Sequence, residues 1–372
     1  MIALVANRNL NSRGGSSRVC LEFLEVLKSE GFRTKVLTKT PLDVRGLEKW
    51  KGSPLLIDEV SSFEPFRLRI FEEYRKFLAM APLLGRSPDV FANTSGDFYP
   101  FLYTKSKVNI TYCHFPVVSL IVNGHTPQKY RRGLWASYYR LHAEILNYLI
   151  HGAGARVLFI ANSNFTREAM RQSLHVEPRV VYPPVNINEF RLAAESQDRE
   201  DRVVTVSRFN PSKQLELIVE IAKALPHSIR WDIVGSLDRE NQGYFRSLRE
   251  AINVRGLADR VTLRPNASSG EIIQLFRKAR VYFHPKRGEH FGISIVEAMA
   301  SGLIPVVWNY GGCSEIVPPR WQFSDLEEAK QGILDGMAAS SEERSSMSEE
   351  AAKYSSTRFR SEVREIIRSV VK

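Results

Sequence analysis

Residues 284–302 read HPKRGEHFGISIVEAMASG, and the order of residue types in that stretch sets the reading of the whole chain. A strand at 281–284 ends, a loop follows, and a helix over 293–301 opens just after Gly292. The first turn of a helix offers unpaired N–H groups and a partial positive charge, which suits a diphosphate. Gly292, without a side chain, lets the backbone approach a ligand closely. Glu289 lies in the loop and Glu297 in the helix, so both can face one crevice. Taken one at a time, each carboxylate is equally an ordinary loop or solvent-facing helix residue.

Outward from this stretch, short apolar runs alternate with amphipathic segments, the pattern of βα units on a parallel sheet. Strands are expected at 2–6, 34–37, 90–92, 108–113 and 157–161, and again at 203–206, 229–234, 281–284 and 305–307. A helix fits 16–28, with Val19, Phe23, Val26 and Leu27 on one face and Gly31 closing it. Asn162-Ser163-Asn164 is a good cap for a helix to about 173. Later helices fit 214–225, 242–253 and 270–278. The polar stretch 195–202 reads as a linker to the second βα series, and the Ser/Glu-rich stretch 338–350 as exposed. Apolar residues at 363, 366, 367, 370 and 371 form a helical stripe.

With 372 residues the chain suits two domains rather than one core. No run approaches the length of a membrane span, and MIALVAN at the start reads as a first strand rather than a secretory segment. Cys20, Cys113 and Cys313 are widely spaced, which predicts free thiols in a reducing compartment and no zinc site. The net charge of +11 points to an anionic partner, either a membrane face or a phosphorylated substrate, or serves solubility alone. No RNP-type motif, zinc-finger spacing or dense basic arm supports nucleic acid.

The segment EHFGISIVEAMASGLIPVV resembles the E-x7-E signature of the retaining GT-B glycosyltransferases of family 4. Gly311-Gly312-Cys313-Ser314-Glu315-Ile316-Val317 is similar to that family's G-G-x-x-E-I-V element. Val206-Ser207-Arg208-Phe209-Asn210-Pro211-Ser212-Lys213 matches its strand–R–x4–K element, and Arg13-Gly14-Gly15-Ser16 its glycine-rich first loop. His114, in Tyr112-Cys113-His114-Phe115-Pro116, ends a strand where the family has a histidine near the reacting sugar. Within the family, YCHFPVVS, VYPPVNI followed by NEF, and GEHFGISIVEAM look like the α-1,2-mannosyltransferases that extend dolichol-linked oligosaccharides.

The resemblance implies an α/β fold of two Rossmann-like domains facing a deep cleft. Residues 1–190 would be the acceptor domain, 191–350 the nucleotide-sugar donor domain, and 351–372 a helix returning to the first. It implies Glu289 and His114 as catalytic groups orienting the sugar, and an exposed cleft position for Glu289. Gly15, Arg208, Lys213, Phe291, Gly292, Ile293 and Glu297 would bind the donor, with Arg208 and Lys213 on the diphosphate and Glu297 on the ribose. The co-substrate would be a nucleotide-sugar, GDP-mannose by preference. With no Asp-x-Asp in the sequence, no metal is expected. The expected partner is a lipid-linked acceptor at an anionic membrane face, the expected location cytoplasmic and peripheral on that face. Residues 128–150, QKYRRGLWASYYRLHAEILNYLI, combine basic residues with aromatics and suit either an interfacial helix or an amphipathic core helix. Two further readings stay open, a family-4 enzyme using a UDP-sugar and a soluble acceptor, and a GT-B-fold protein that binds nucleotide-sugar without transferring it.

Overall fold

The computed structural model describes residues 1–62, 87–96, 105–116, 157–196 and 198–371, together with isolated helical positions between 134 and 148. These fall into two compact units, Met1–Pro184 with Ser356–Lys372, and Val185–Ser355.

The first unit is built on β1 (Ile2–Ala6), β2 (Arg33–Thr38), β3 (Glu59–Ser62), β4 (Val90–Asn93), β5 (Val108–Cys113), β6 (Val157–Ala161) and β7 (Arg179–Val180). All pair in parallel, in the order β3-β2-β1-β4-β5-β6-β7. The central strands are near-continuous apolar runs because helices cover both faces of such a sheet. The helix Gly15–Ser29 buries Val19, Phe23, Val26 and Leu27, the face expected of it. The terminal helix Ser356–Val370 returns to this unit and begins earlier than its stripe suggested. Phe359 meets Phe23 edge-on at 5.7 Å and Tyr112 at 6.0 Å. Arg360 pairs with Glu22 at 2.9 Å, and Arg368 with Glu30 at 2.8 Å.

The second unit carries β8 (Arg202–Val206), β9 (Arg230–Gly235), β10 (Val261–Pro265), β11 (Val281–His284), β12 (Ile304–Trp308) and β13 (Gln322–Phe323). These are again parallel, ordered β10-β9-β8-β11-β12-β13. The strand order reverses between β8 and β11, which pair directly, so the loops leaving their C-terminal ends are neighbours. That reversal is where open α/β sheets form ligand crevices.

Four strands escape the apolar pattern. β3, β7, β10 and β13 all lie at or next to sheet edges and are short or polar, as in the half-exposed EVSS of β3. Two polar stretches are more ordered than their reading. Residues 338–350 are mostly exposed, as expected, but from Ser341 onward they form the helix Ser341–Ala351, opened by a Ser340–Glu343 capping box, which buries Met347, Ser348 and Ala351. Its small residues let it pack against the helix Ile293–Ala300, so few large apolar side chains are needed. The stretch 195–202, read as a linker, is tied into the second unit at Arg199. There the Arg199 guanidinium donates to the carbonyls of Phe276, Ala279, Ala193 and Ser301. All three cysteines are free and buried. Most of 128–150 lies outside the described residues. At the described helical positions, Leu134 is 90% exposed and Tyr148 80%, with Leu141 and Ile145 also exposed. Among the described residues no helix is long and apolar enough to cross a membrane.

Phe359→Ala removes a fully buried ring from the first core and is expected to cost about 3–5 kcal/mol. In urea denaturation followed by site-specific probes, only the first unit's transition should shift. An equal shift in both units would show that the terminal helix does not belong to the first core alone.

Candidate functional site

The β8–β11 reversal gathers most of the residues singled out in the second half of the sequence. After β8 the chain turns closely over Gly235, where an added Cβ would lie 1.8 Å from the Ser207 carbonyl oxygen. The Ser207 N–H donates to the Val234 carbonyl and the Phe209 N–H to that of Ser236. Asn210 caps the one-turn helix Pro211–Lys213, and Gln214 closes it with φ of 54°. This turn aims Lys213 at the loop after β11, where its Nζ lies 2.6 Å from Glu289 Oε2.

Glu289 is buried, 8% exposed, which corrects its expected place as an exposed cleft carboxylate. The physical reason is its surroundings. Besides Lys213, His284 Nε2 lies 3.1 Å and Lys286 Nζ 3.7 Å from the same Oε2, while the His290 N–H donates to Oε1. Burial alone would raise its pKa, but Lys213, His284 and Lys286 outweigh burial and hold it well below the ordinary carboxylate value. Burial lowers His284 despite Glu289, and burial lowers Lys286 as well. His284 Nδ1 continues to the Tyr282 hydroxyl at 3.4 Å, and that hydroxyl to Ser294 Oγ at 2.8 Å. A chain of polar groups thus runs from Glu289 to the first turn of the following helix.

The loop is shaped from outside by Gly311 and Gly312. The Gly312 N–H donates to the Glu289 carbonyl at 2.7 Å, and the Gly288 N–H to that of Tyr310 at 3.0 Å. A Cβ on Gly312 would sit 2.0 Å from the His290 carbonyl oxygen, and one on Gly311 would sit 2.6 Å from that of Glu289. At the helix start, Gly292 has φ of 100°, and a Cβ there would lie 2.4 Å from Ile295 Cδ1. No side chain caps the helix Ile293–Ala300. The Ile295 N–H donates to the Gly292 carbonyl at 3.0 Å, and those of Ile293 and Ser294 remain available to an anion. Phe291 is buried edge-on to Tyr354, while Ile293 and Glu297 are half-buried along the helix. Arg208 is exposed, and among the described residues no carboxylate lies within ion-pair reach of it.

Gly15 and His114 belong to the other unit, at its own reversal between β1 and β4. Gly15 begins a helix whose N-cap, Gly14, has no side chain to cap it. His114 Nε2 lies 3.0 Å from the Thr94 carbonyl oxygen, which also accepts from Ser16 Oγ at 3.2 Å. A carbonyl only accepts, so Nε2 carries the proton and Nδ1 is left as an acceptor. Burial lowers the His114 pKa, against the Thr94 bond, and keeps the ring neutral. Sequence reasoning missed His284, Lys286, Tyr282, Ser294 and Thr94. The first two stood inside the quoted loop, and their basic side chains flanking Glu289 were the one available signal. Among the described residues no group of three or more His, Cys, Asp or Glu side chains is placed to hold a metal ion.

Two Rossmann-like units with a cation-rich loop and an uncapped helix at the switch point define a GT-B glycosyltransferase fold. Residues 13–189 match the model of Glycosyltransferase Family 4, and residues 186–353 that of Glycosyl transferases group 1. Together the two matches run from residue 13 to residue 353 of the chain. It is 28% identical to the Yarrowia lipolytica protein named GDP-Man:Man(3)GlcNAc(2)-PP-Dol alpha-1,2-mannosyltransferase, over 69% of this chain and 44% of that one. It is 26% identical to the mouse alpha-1,3/1,6-mannosyltransferase ALG2, over 58% of this chain and 55% of that one. The matched stretch spans about half the length of these curated relatives. Among solved structures, Anabaena HepE in complex with UDP and glucose superposes with a TM-score of 0.71 at 17% identity, covering 99% of this chain and 100% of that one.

Glu289→Gln would strand two half-buried lysines and is expected to cost about 3–5 kcal/mol at neutral pH. A carboxylate whose folded pKa is depressed contributes stability that is present above its unfolded pKa and lost as pH falls through the folded value. The gap between wild type and Glu289→Gln should therefore hold down to about pH 5 and shrink below about pH 4. Urea titrations at neutral and acid pH measure it; a gap independent of pH would mean that Glu289 is not ionised in the fold.

Proposed function

We propose that the chain transfers mannose from GDP-mannose, with retention of configuration, to a lipid-linked glycan acceptor. The observation that carries the transferase reading is Glu289, kept ionised beside an uncapped helix N-terminus at the switch point. The donor and acceptor are supported by the names of the curated relatives, GDP-Man and PP-Dol in the first of them. On this reading residues 185–355 bind the donor and the other unit the acceptor. The diphosphate lies against Arg208 and the first-turn N–H groups after Gly292, in contact with Phe291 and Ile293, while Glu297 takes the ribose. In the other unit, Gly15 and His114 stand at the β1–β4 reversal, with His114 as a neutral imidazole.

The bond from the anomeric carbon to the diphosphate oxygen breaks as the acceptor hydroxyl attacks from the same face. The hydroxyl proton passes to the departing phosphate oxygen, and GDP and the mannosylated acceptor are the products. Positive charge developing on the sugar is stabilised by the Glu289 carboxylate, and negative charge on the leaving group by fixed cations and N–H dipoles. Lys213 lies between the two, paired with Glu289 and able to face the diphosphate. The nucleotide-sugar is the co-substrate, and no metal is required on this reading. The exposed Leu134, Leu141, Ile145 and Tyr148, one helical face by spacing, together with the net charge of +11, support peripheral docking on an anionic cytoplasmic membrane face.

Arg208→Ala should lower kcat/KM for GDP-mannose about 10–1000-fold with little loss of stability, since Arg208 is exposed. Lys213→Ala should lower activity and stability together, because it also strands Glu289. Transfer from labelled GDP-mannose to a dolichol-linked acceptor, read beside thermal shifts with GDP, UDP and ADP, checks both. Stabilisation by UDP alone would favour the UDP-sugar reading, and nucleotide binding without any transfer the non-transferring one.

A further inference from the structure

Away from the switch point, the second unit holds a cavity of about 640 Å³ lined by Arg199, Arg280 and Arg344 and by Ser196, Ser341 and Ser345. It lies between the 194–199 segment and the helix Ser341–Ala351, on which Ser341, Arg344 and Ser345 share one face. Its one lining carboxylate is Glu195, which is exposed. Arg199 and Arg344 are both half-buried. Arg199 is held by four backbone carbonyls, and Arg344 donates to the carbonyls of Arg280 at 2.6 Å and Gly336 at 2.8 Å. Among the described residues neither guanidinium has a carboxylate within ion-pair reach, and only Arg280 is paired, with Asp201 at 2.9 Å.

Buried cations are ordinarily paired with an anion. Here burial, then repulsion from Arg280, pushes Arg199 down to about 10, and burial, then Arg199 and Arg280, does the same to Arg344. Carbonyl dipoles hold these side chains in place but leave their like charges facing one another around open space. An anion in that space relieves the repulsion. The four terminal N–H groups of Arg199 are taken by carbonyls, so it contributes charge, while Arg280 and Arg344 keep N–H groups for the oxygens of a phosphate, and serine hydroxyls supply further donors. The volume lies in the range of small-molecule sites and exceeds what one phosphate fills.

We propose that this cavity binds a phosphate monoester of about monosaccharide size, with its phosphate on Arg280 and Arg344 beside the charge of Arg199 and its hydroxyls toward the serine-lined wall. The site is separate from the switch point, and the proposal does not depend on the transferase reading.

Isothermal titration of the full chain with mannose 6-phosphate and with inorganic phosphate, at matched ionic strength, tests it. The ester should bind wild type and Arg208→Ala alike, and more tightly than inorganic phosphate. Ser345→Asp places a negative charge on the wall without touching the carbonyl bonds of Arg344, and should weaken binding at least about tenfold. Ser345→Asn, uncharged and close in size, should bind within about twofold of wild type, which controls for folding and for simple crowding. No binding to wild type, binding unchanged in Ser345→Asp, or equal loss in both Ser345 variants overturns the proposal. Loss in Arg208→Ala places the anion at the switch point and overturns it too. Equal affinity for inorganic phosphate overturns the assignment of an ester.

Discussion

The loops at the β8–β11 reversal depend on one ion pair, Lys213 to Glu289, because it ties the loop leaving β8 to the loop leaving β11. A carboxylate taken out of water costs several kcal/mol unless its charge and lone pairs are met. Glu289 is met from three directions, by Lys213 from the neighbouring loop, by Lys286 from its own, and by His284 from the strand end below. Each partner has to arrive at a fixed distance, so the loop has little freedom left. The two glycines at 311 and 312 follow from the same demand, since any side chain there would push into the backbone that carries Glu289. Charge burial, rather than apolar packing, sets the shape of this loop.

The parallel sheets were legible because their central strands are buried on both faces and read as apolar runs. Val108–Cys113, Val157–Ala161 and Val281–His284 fall at the residues where the pattern places them. Edge strands were not legible, since EVSS at 59–62 needs polar outward residues to discourage pairing with other chains. The helix Ser341–Ala351 was hidden for a related reason, as serine and alanine bury against a neighbour without an apolar stripe. At the site, the type and spacing of Glu289, Glu297, Arg208 and Lys213 could be read from the chain. That Lys213 and Glu289 face each other could not, because 76 positions separate them and only the β8–β11 pairing closes that distance.

The two units solve the same topological problem with opposite electrostatics. At the β1–β4 reversal a single carbonyl, that of Thr94, collects Ser16 and His114, and desolvation keeps the histidine neutral. At the β8–β11 reversal desolvation is overcome by cations, and the carboxylate stays ionised. Burial acts on both groups in the same sense, toward the uncharged form. The outcome differs because His114 has a carbonyl for a partner where Glu289 has two ammonium groups. A neutral imidazole and a fixed carboxylate are thus products of local composition within a shared architecture.

That composition bears on how a doubly charged leaving group can be handled by side chains. Glu289 consumes one of the two lysine charges around it, so Lys213 and Lys286 together leave about one positive charge at the loop. Arg208 adds a second, exposed and without a carboxylate partner among the described residues. The uncapped turn after Gly292 contributes about half a charge more. The sum is close to what a nucleotide diphosphate presents as it departs. The arrangement also explains why the carboxylate is buried rather than open. Exposed, Glu289 would lie in high dielectric and repel the diphosphate weakly while doing little for the sugar. Screened by its lysines on one side, it keeps its charge through neutral pH, and on the proposed reading it would stabilise a group that becomes positive only as the bond breaks. On the proposed reading, a site of this kind would favour the charge separation of the transition state over either ground state, with groups already fixed in place before the substrate arrives.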